Sequence, residues 1–193
     1  MKVASLARRI LAAAGWQFEG SVPQVARCVV LGVPHTSNWD GVLLLAGAAS
    51  IDRPMSFMIK DDWLRGPMGP VMRRLGAVGI DRSRANNVVD AMVDELRRRD
   101  HLWLVIPPEG TRSRADHWKS GFYHIARGAD VPVVPGYLDY KRKRIGLGDP
   151  IRLIGDVGAD MDRIRRYYAE VAPTAHRPDD FGPIRLKDEP AVN

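Results

Sequence analysis

A chain of 193 residues, 45% hydrophobic and 27% charged, has the composition of one globular domain with a real core. Its net charge of +6 favours anionic partners: lipid headgroups, an acidic carrier protein, coenzyme A or nucleic acid. The single cysteine, Cys28, excludes an internal disulfide framework and a multi-cysteine zinc site, and its place in an apolar strand suits a reducing compartment.

Residues 1–20 are the first expected unit. Val3, Leu6, Ile10, Leu11 and Ala14 fall on one face of a helix that also carries Lys2, Arg8 and Arg9. Its apolar part, Ile10 to Trp16, is too short to span a bilayer. Arg9 leaves a weak signal-peptide core, and no clear cleavage site follows. The helix reads either as interfacial, with its arginines at the headgroups, or as packed on its own domain.

Residues 21–172 alternate strand and helix. Ala26 to Val33 is an apolar, β-branched strand, and Asp40 to about Ser50 a helix. Met55 to Ile59 is the next strand. Asp61 to Leu75 holds two short, unusually apolar helical pieces broken at Gly66-Pro67 and Gly69-Pro70. These pieces either pack in the core or, with Met68 and Met72, floor an acyl-chain groove. Ala77 to Ile80 is a short strand. Asn86 to Arg99 is an amphipathic helix with Val88, Val89, Met92, Val93 and Leu96 inward.

Strand Leu102 to Ile106 and a helix from Gly121 to Arg127 follow. In the strand Val131 to Leu138, Pro132 and Pro135 predict irregularity or an edge position. Lys141 to Arg144 is a basic run, read as a solvated hairpin or as a landing surface for anionic lipid or an acidic carrier. A turn at Gly146 to Pro150 leads the chain into Ile151 to Ile154, and Asp160 to Ala172 is the last helix. Residues 173–193 are rich in Pro and charge and form a poorly structured tail or a strap over the surface. The whole is an α/β fold, a single-domain mixed sheet flanked by helices.

Two junctions in this pattern carry chemistry. The first is Pro34-His35-Thr36-Ser37-Asn38-Trp39-Asp40, which puts His35 where a strand ends and Asp40 where a helix begins. Open α/β sheets bind ligands at such junctions. A His there can act as a base, and an Asp five positions on can return to hold one ring nitrogen. The plainer reading is that Asp40 caps the helix and His35 is an ordinary loop residue. The second is Pro107-Pro108-Glu109-Gly110-Thr111-Arg112-Ser113-Arg114. A rigid Pro-Pro step, a permissive Gly, hydroxyls and two Arg make an anion-binding turn or a polar loop with a capping Thr.

Taken together, residues 28 to 138 resemble the glycerolipid acyltransferase family, which includes the lysophosphatidic acid acyltransferases. The matching blocks stand in order: His35 to Asp40 as H-x4-D, then Lys60 through Gly76-Ala-Val-Gly-Ile80-Asp81-Arg82. Next come Pro108-Glu109-Gly110-Thr111-Arg112-Ser113 and Val131-Pro132-Val133-Val134-Pro135, with Lys119-Ser-Gly121 between them. Pro34 stands where the family has Asn, and Pro107 where it has an aromatic residue. The resemblance implies a glycerol-3-phosphate acyltransferase-like fold and an O-acyltransferase. Such an enzyme moves a fatty acyl group from acyl-CoA or acyl-carrier protein to a hydroxyl of a lysolipid acceptor, with no cofactor and no metal.

The resemblance assigns His35 as general base, with Asp40 fixing its tautomer. Lys60, Arg82 and Arg112 match positions that bind a phosphate headgroup, and Glu109, Gly110, Thr111 and Ser113 complete the substrate-binding loop. Two other classes compete: a metal-dependent hydrolase on His35, Asp40 and Glu109, and a lipid-binding protein without turnover. The chain has no Walker loop, no G-x-G-x-x-G and no G-x-S-x-G elbow. No basic-aromatic pattern supports nucleic-acid binding. The expected location is peripheral, on the cytoplasmic face of a membrane.

Overall fold

The computed structural model describes residues 2–80, 85–187 and 189. A seven-stranded sheet runs in the order β1 (Gln17–Glu19), β7 (Arg144–Leu147), β6 (Val133–Asp139), β2 (Arg27–Val33), β5 (Leu102–Ile106), β3 (Met55–Lys60), β4 (Ala77–Ile80). All neighbours are parallel except β6 and β7, which form an antiparallel hairpin. The sheet is therefore mixed, with its one reversal late in the chain.

The central strands are buried on both faces, so they read as continuous apolar runs. Their alternation still sorts side chains. Val29, Leu31 and Val33 point into a core built with Met92, Leu96, Phe122 and Ile164. These come from α5 (Ala85–Arg98), α6 (Gly121–Ala129) and α7 (Val157–Val171). Cys28 and Val30 point the other way, toward Ala48 of α2 (Asn38–Ser50), Met55 and Trp103. Beyond α2 lies α1 (Lys2–Ala13), whose Leu11 packs with Trp16, Leu138 and Ile145. The two short helices α3 (Asp61–Arg65) and α4 (Gly69–Arg74) connect β3 to β4.

Four expectations are corrected. The strand expected around Pro132 and Pro135 is not at an edge: β6 starts at Val133, just after Pro132, and lies between β2 and β7 with every residue buried. Pro135 is tolerated there because the β7 ladder begins at Gly136. The turn expected from Gly146 begins only after Leu147, because Gly146 and Leu147 belong to β7, and Ile151 makes an isolated bridge to Val133. Gly69-Pro70 does not break a helix but opens α4, with Pro in the first turn where its missing N–H costs nothing. The α3–α4 pieces are not core packing throughout, because Trp63 is 64% exposed and Met68 50%.

Candidate active site

His35 follows β2, Lys60 ends β3 and Glu109 follows β5. Since these three strands are parallel, their carboxyl ends lie along one edge of the sheet. The Val33–Pro34 peptide is cis. The chain then enters α2 through a capping box. The Ser37 hydroxyl accepts from Trp39 N, and the Asp40 carboxylate accepts from Ser37 N. Asp40 therefore does cap the helix, and it also faces the imidazole. Its Oδ2 accepts from Thr36 N and Ser37 N at 2.7 Å each and stands 3.7 Å from His35 Nδ1. That separation is an ion-pair distance, too long for a hydrogen bond. Asp40 Oδ1 accepts from the Tyr140 hydroxyl at 2.5 Å.

His35 is partly exposed, while Asp40 is buried. Burial lowers the His35 pKa below the usual imidazole value; Asp40 opposes this and Arg112 adds to it. Burial thus favours the uncharged ring, whose Nδ1 is turned toward Asp40.

In the second loop, Glu109 is 4% exposed, and its Oε1 accepts from His35 N at 3.2 Å. It ties the two loops together from beneath. Gly110 has φ +66, and a Cβ there would stand 2.9 Å from the Lys119 side chain. The turn therefore needs glycine on both counts. Thr111, Arg112 and Ser113 are exposed at the mouth.

A cavity of about 1630 Å³ opens at these loops. Its wall includes His35, Asp40, Gly110, Thr111, Arg112 and Ser113 together with Asn38, Lys119 and His124. It runs inward along both faces of the sheet, past Val30, Leu44, Gly47, Phe57 and Val105 on the α2 side and past Met58, Ile80, Val88 and Val89 on the α5 side, with Met72 also in its wall. The wall among the described residues does not include Lys60 or the buried Glu109. Arg82 lies outside the described residues. No three His, Cys, Asp or Glu side chains among those described converge to hold a metal ion, so His35, Asp40 and Glu109 do not make a ligand set. Sequence reasoning passed over Asn38 and His124, which bear no distinctive spacing, and Tyr140.

Comparison with known proteins follows the same lines. A family model described as Acyltransferase matches residues 17–139. The chain is 31% identical over 132 residues to the human 1-acyl-sn-glycerol-3-phosphate acyltransferase beta, covering 63% of this chain and 46% of that one. It is 31% identical over 122 residues to 1-acyl-sn-glycerol-3-phosphate acyltransferase of Salmonella typhimurium, covering 58% and 47%. The chain thus spans about half the length of the curated relatives it matches. Among solved structures, the 1-acyl-sn-glycerophosphate (LPA) acyltransferase PlsC of Thermotoga maritima aligns with TM-score 0.58 and 17% identity over 88% of this chain and 75% of that one. That likeness concerns the fold.

Proposed function

This chain belongs to the acyltransferase family, and from that premise we propose that it moves a fatty acyl group from a thioester donor to a hydroxyl of a lysophosphatidic acid-like acceptor. The observation that carries the reading is the His35–Asp40 pair at the mouth of a long apolar cavity. Acyl-CoA and acyl-carrier protein are the donor classes.

The His35–Asp40 pair supports the following steps. His35 Nε2 accepts the proton of the acceptor hydroxyl as its oxygen attacks the thioester carbonyl. Asp40 stabilises the resulting imidazolium. The tetrahedral intermediate collapses, the C–S bond breaks, and the imidazolium returns the proton to the leaving thiolate. The thioester is already activated, so no acyl-enzyme is needed. Arg112 at the rim grips the acceptor's phosphate through paired hydrogen bonds; Lys60 stands outside the cavity wall and has no part in that grip. Glu109 shapes the loop from below rather than acting as base. The apolar channel under α2 takes the acyl chain.

A two-tailed product demands a site that opens toward a bilayer. We place the protein peripherally on the cytoplasmic face of a membrane. No helix among the described residues is long and apolar enough to cross one. The support is that α1 exposes Val3, Leu6 and Ile10 to solvent, and that Trp39 and Val42 stand exposed on the first turns of α2. The test of the chemistry is transfer from acyl-CoA and acyl-carrier donors to a panel of lysolipids, with products identified by mass. His35→Ala is expected to remove nearly all turnover with the fold retained, and near-normal turnover in that variant overturns the assignment.

A further inference from the structure

We propose that Tyr140 and the C-terminal segment Thr174–Arg177 are positioning residues for the His35–Asp40 pair, an inference that rests on the reading of His35 as the base. They hold the Asp40 carboxylate and the turn at Thr36 in register with the imidazole.

The Asp40 carboxylate divides its two oxygens. Oδ2 takes the Thr36 and Ser37 amides and faces His35, while Oδ1 takes the Tyr140 hydroxyl. A carboxylate pinned only on the Oδ2 side can rotate about its last bond; the phenol on Oδ1 removes that freedom. Burial and the bond to Asp40 raise the Tyr140 pKa, so the hydroxyl stays protonated and donates.

Tyr140 is itself held from both ends of the chain. The Trp16 ring meets it edge-on at 5.1 Å, and the His176 ring does so at 5.0 Å. Tyr140 N donates to Thr174 O at 3.0 Å, and the Thr174 hydroxyl donates to Asp139. One residue from His35, the buried Thr36 is gripped from the same segment. Arg177 N donates to the Thr36 hydroxyl at 3.2 Å, and Arg177 Nε donates to Thr36 O at 2.8 Å, with Nη2 on the same oxygen. Asp180 lies 3.3 Å from that Nε and steadies the guanidinium.

A turn whose amide is tied to Asp40 and whose carbonyl and hydroxyl are tied to Arg177 has little room to move. Displacing a base by even an ångström costs rate, because proton transfer and attack need a near-attack geometry. Tyr140, Thr174, His176 and Arg177 all lie past residue 139, where the family match ends. Nothing in that match assigns them a role.

The test compares Tyr140→Phe, Arg177→Ala and Arg177→Lys with wild type in acyl transfer from acyl-CoA to lysophosphatidic acid. Arg185→Ala is the structural control. It loosens the chain beyond that segment at the Asp116 carbonyl, away from the catalytic turn. We expect Tyr140→Phe and Arg177→Ala to lower kcat by about 10-fold or more, with KM within about 3-fold. Arg177→Lys should recover part of the loss. In Tyr140→Phe the charged groups around the imidazole, Asp40, Arg112 and Glu109, remain. Asp40 loses a donor, faces His35 with more of its charge, and moves the acid limb of kcat/KM to higher pH.

Unchanged kcat and pH profile in Tyr140→Phe, or a loss that Arg185→Ala reproduces in step with its fall in Tm, overturns the proposal. Turnover surviving in His35→Ala overturns the base assignment itself. Abolished His35→Ala with an unaffected Tyr140→Phe removes the positioning role alone.

Discussion

Glu109 has one carboxylate oxygen on the His35 amide and the other buried without a hydrogen-bond partner among the described residues. Burial pushes its pKa up to about 7 from 4.5, against the hydrogen bonds that favour the charge. Below pH 4.5 the carboxyl is protonated in both folded and unfolded chains and contributes no pH dependence. Between 4.5 and 7 the unfolded chain has released the proton and the folded one keeps it, so stability falls as pH rises. Above 7 the cost is fully present and flat. The difference amounts to about 3 kcal/mol across that window, at about 1.4 kcal/mol per pH unit. Glu109→Gln should remove this slope. Unfolding free energies at pH 4.5 and 7.5 should diverge in wild type by that much more than in the variant, and parallel curves would refute it. His35 contributes the opposite sign at neighbouring pH, because a lowered imidazole pKa withdraws stability as pH falls, and it cancels in the comparison. The His35–Asp40 pair was legible because both residues sit within one strand-to-helix junction, where spacing reports proximity. The Tyr140–Asp40 contact spans 100 residues and the Arg177–Thr36 contact 141, and such long-range meetings leave no period or motif in the chain.

The same distinction operates between elements. Strands β2 and β5 were plain because parallel strands buried on both faces are apolar throughout. Three-residue β1 is too short for any alternation to show, and β7 is hidden because Arg144 ends a basic run and Gly146 reads as a turn. They pair because β7 turns back on β6 and offers its free edge to the chain leaving α1. Helix α1 packs on its own domain, one of the two readings that its sequence left open. Ala4 and Leu11 are buried, and Arg8 Nε donates to Ser50 O at 2.7 Å. Val3, Leu6 and Ile10 form an adjacent stripe that remains exposed. One face is thus packed and the next is open. Leu11→Ala should destabilise the fold by about 2–4 kcal/mol through lost burial and a residual cavity. Leu6→Ser should change stability by less than about 0.5 kcal/mol. Denaturant midpoints of the two variants decide the matter: equal shifts would mean that α1 does not dock as described.

Across the whole molecule, the peripheral attachment proposed above rests on the net charge of +6 and the exposed apolar stripe on α1. The basic run Lys141 to Arg144 contributes less than its composition suggests, because folding engages most of it. Arg142 pairs with Asp139 and Glu19, Lys143 Nζ donates to Ala14 O, and Arg144 faces Glu19. These contacts seat β7 and the end of α1 as much as they present charge. Burying one exposed aliphatic side chain is worth about 1–2 kcal/mol, and each cation near an anionic leaflet about 1 kcal/mol. Under that proposal neither alone holds a protein of this size, and the two together would make attachment reversible. Vesicle flotation should show binding to anionic vesicles at low salt and release as salt rises, since the charge term is screened within about 10 Å at 0.1 M. The double variant Leu6→Ser, Ile10→Ser, folded as stably as wild type, should fail to float at any salt. Binding of wild type and variant alike, or equal binding to neutral and anionic vesicles, would mean that α1 is not the contact and that the positive surface serves an acidic carrier instead.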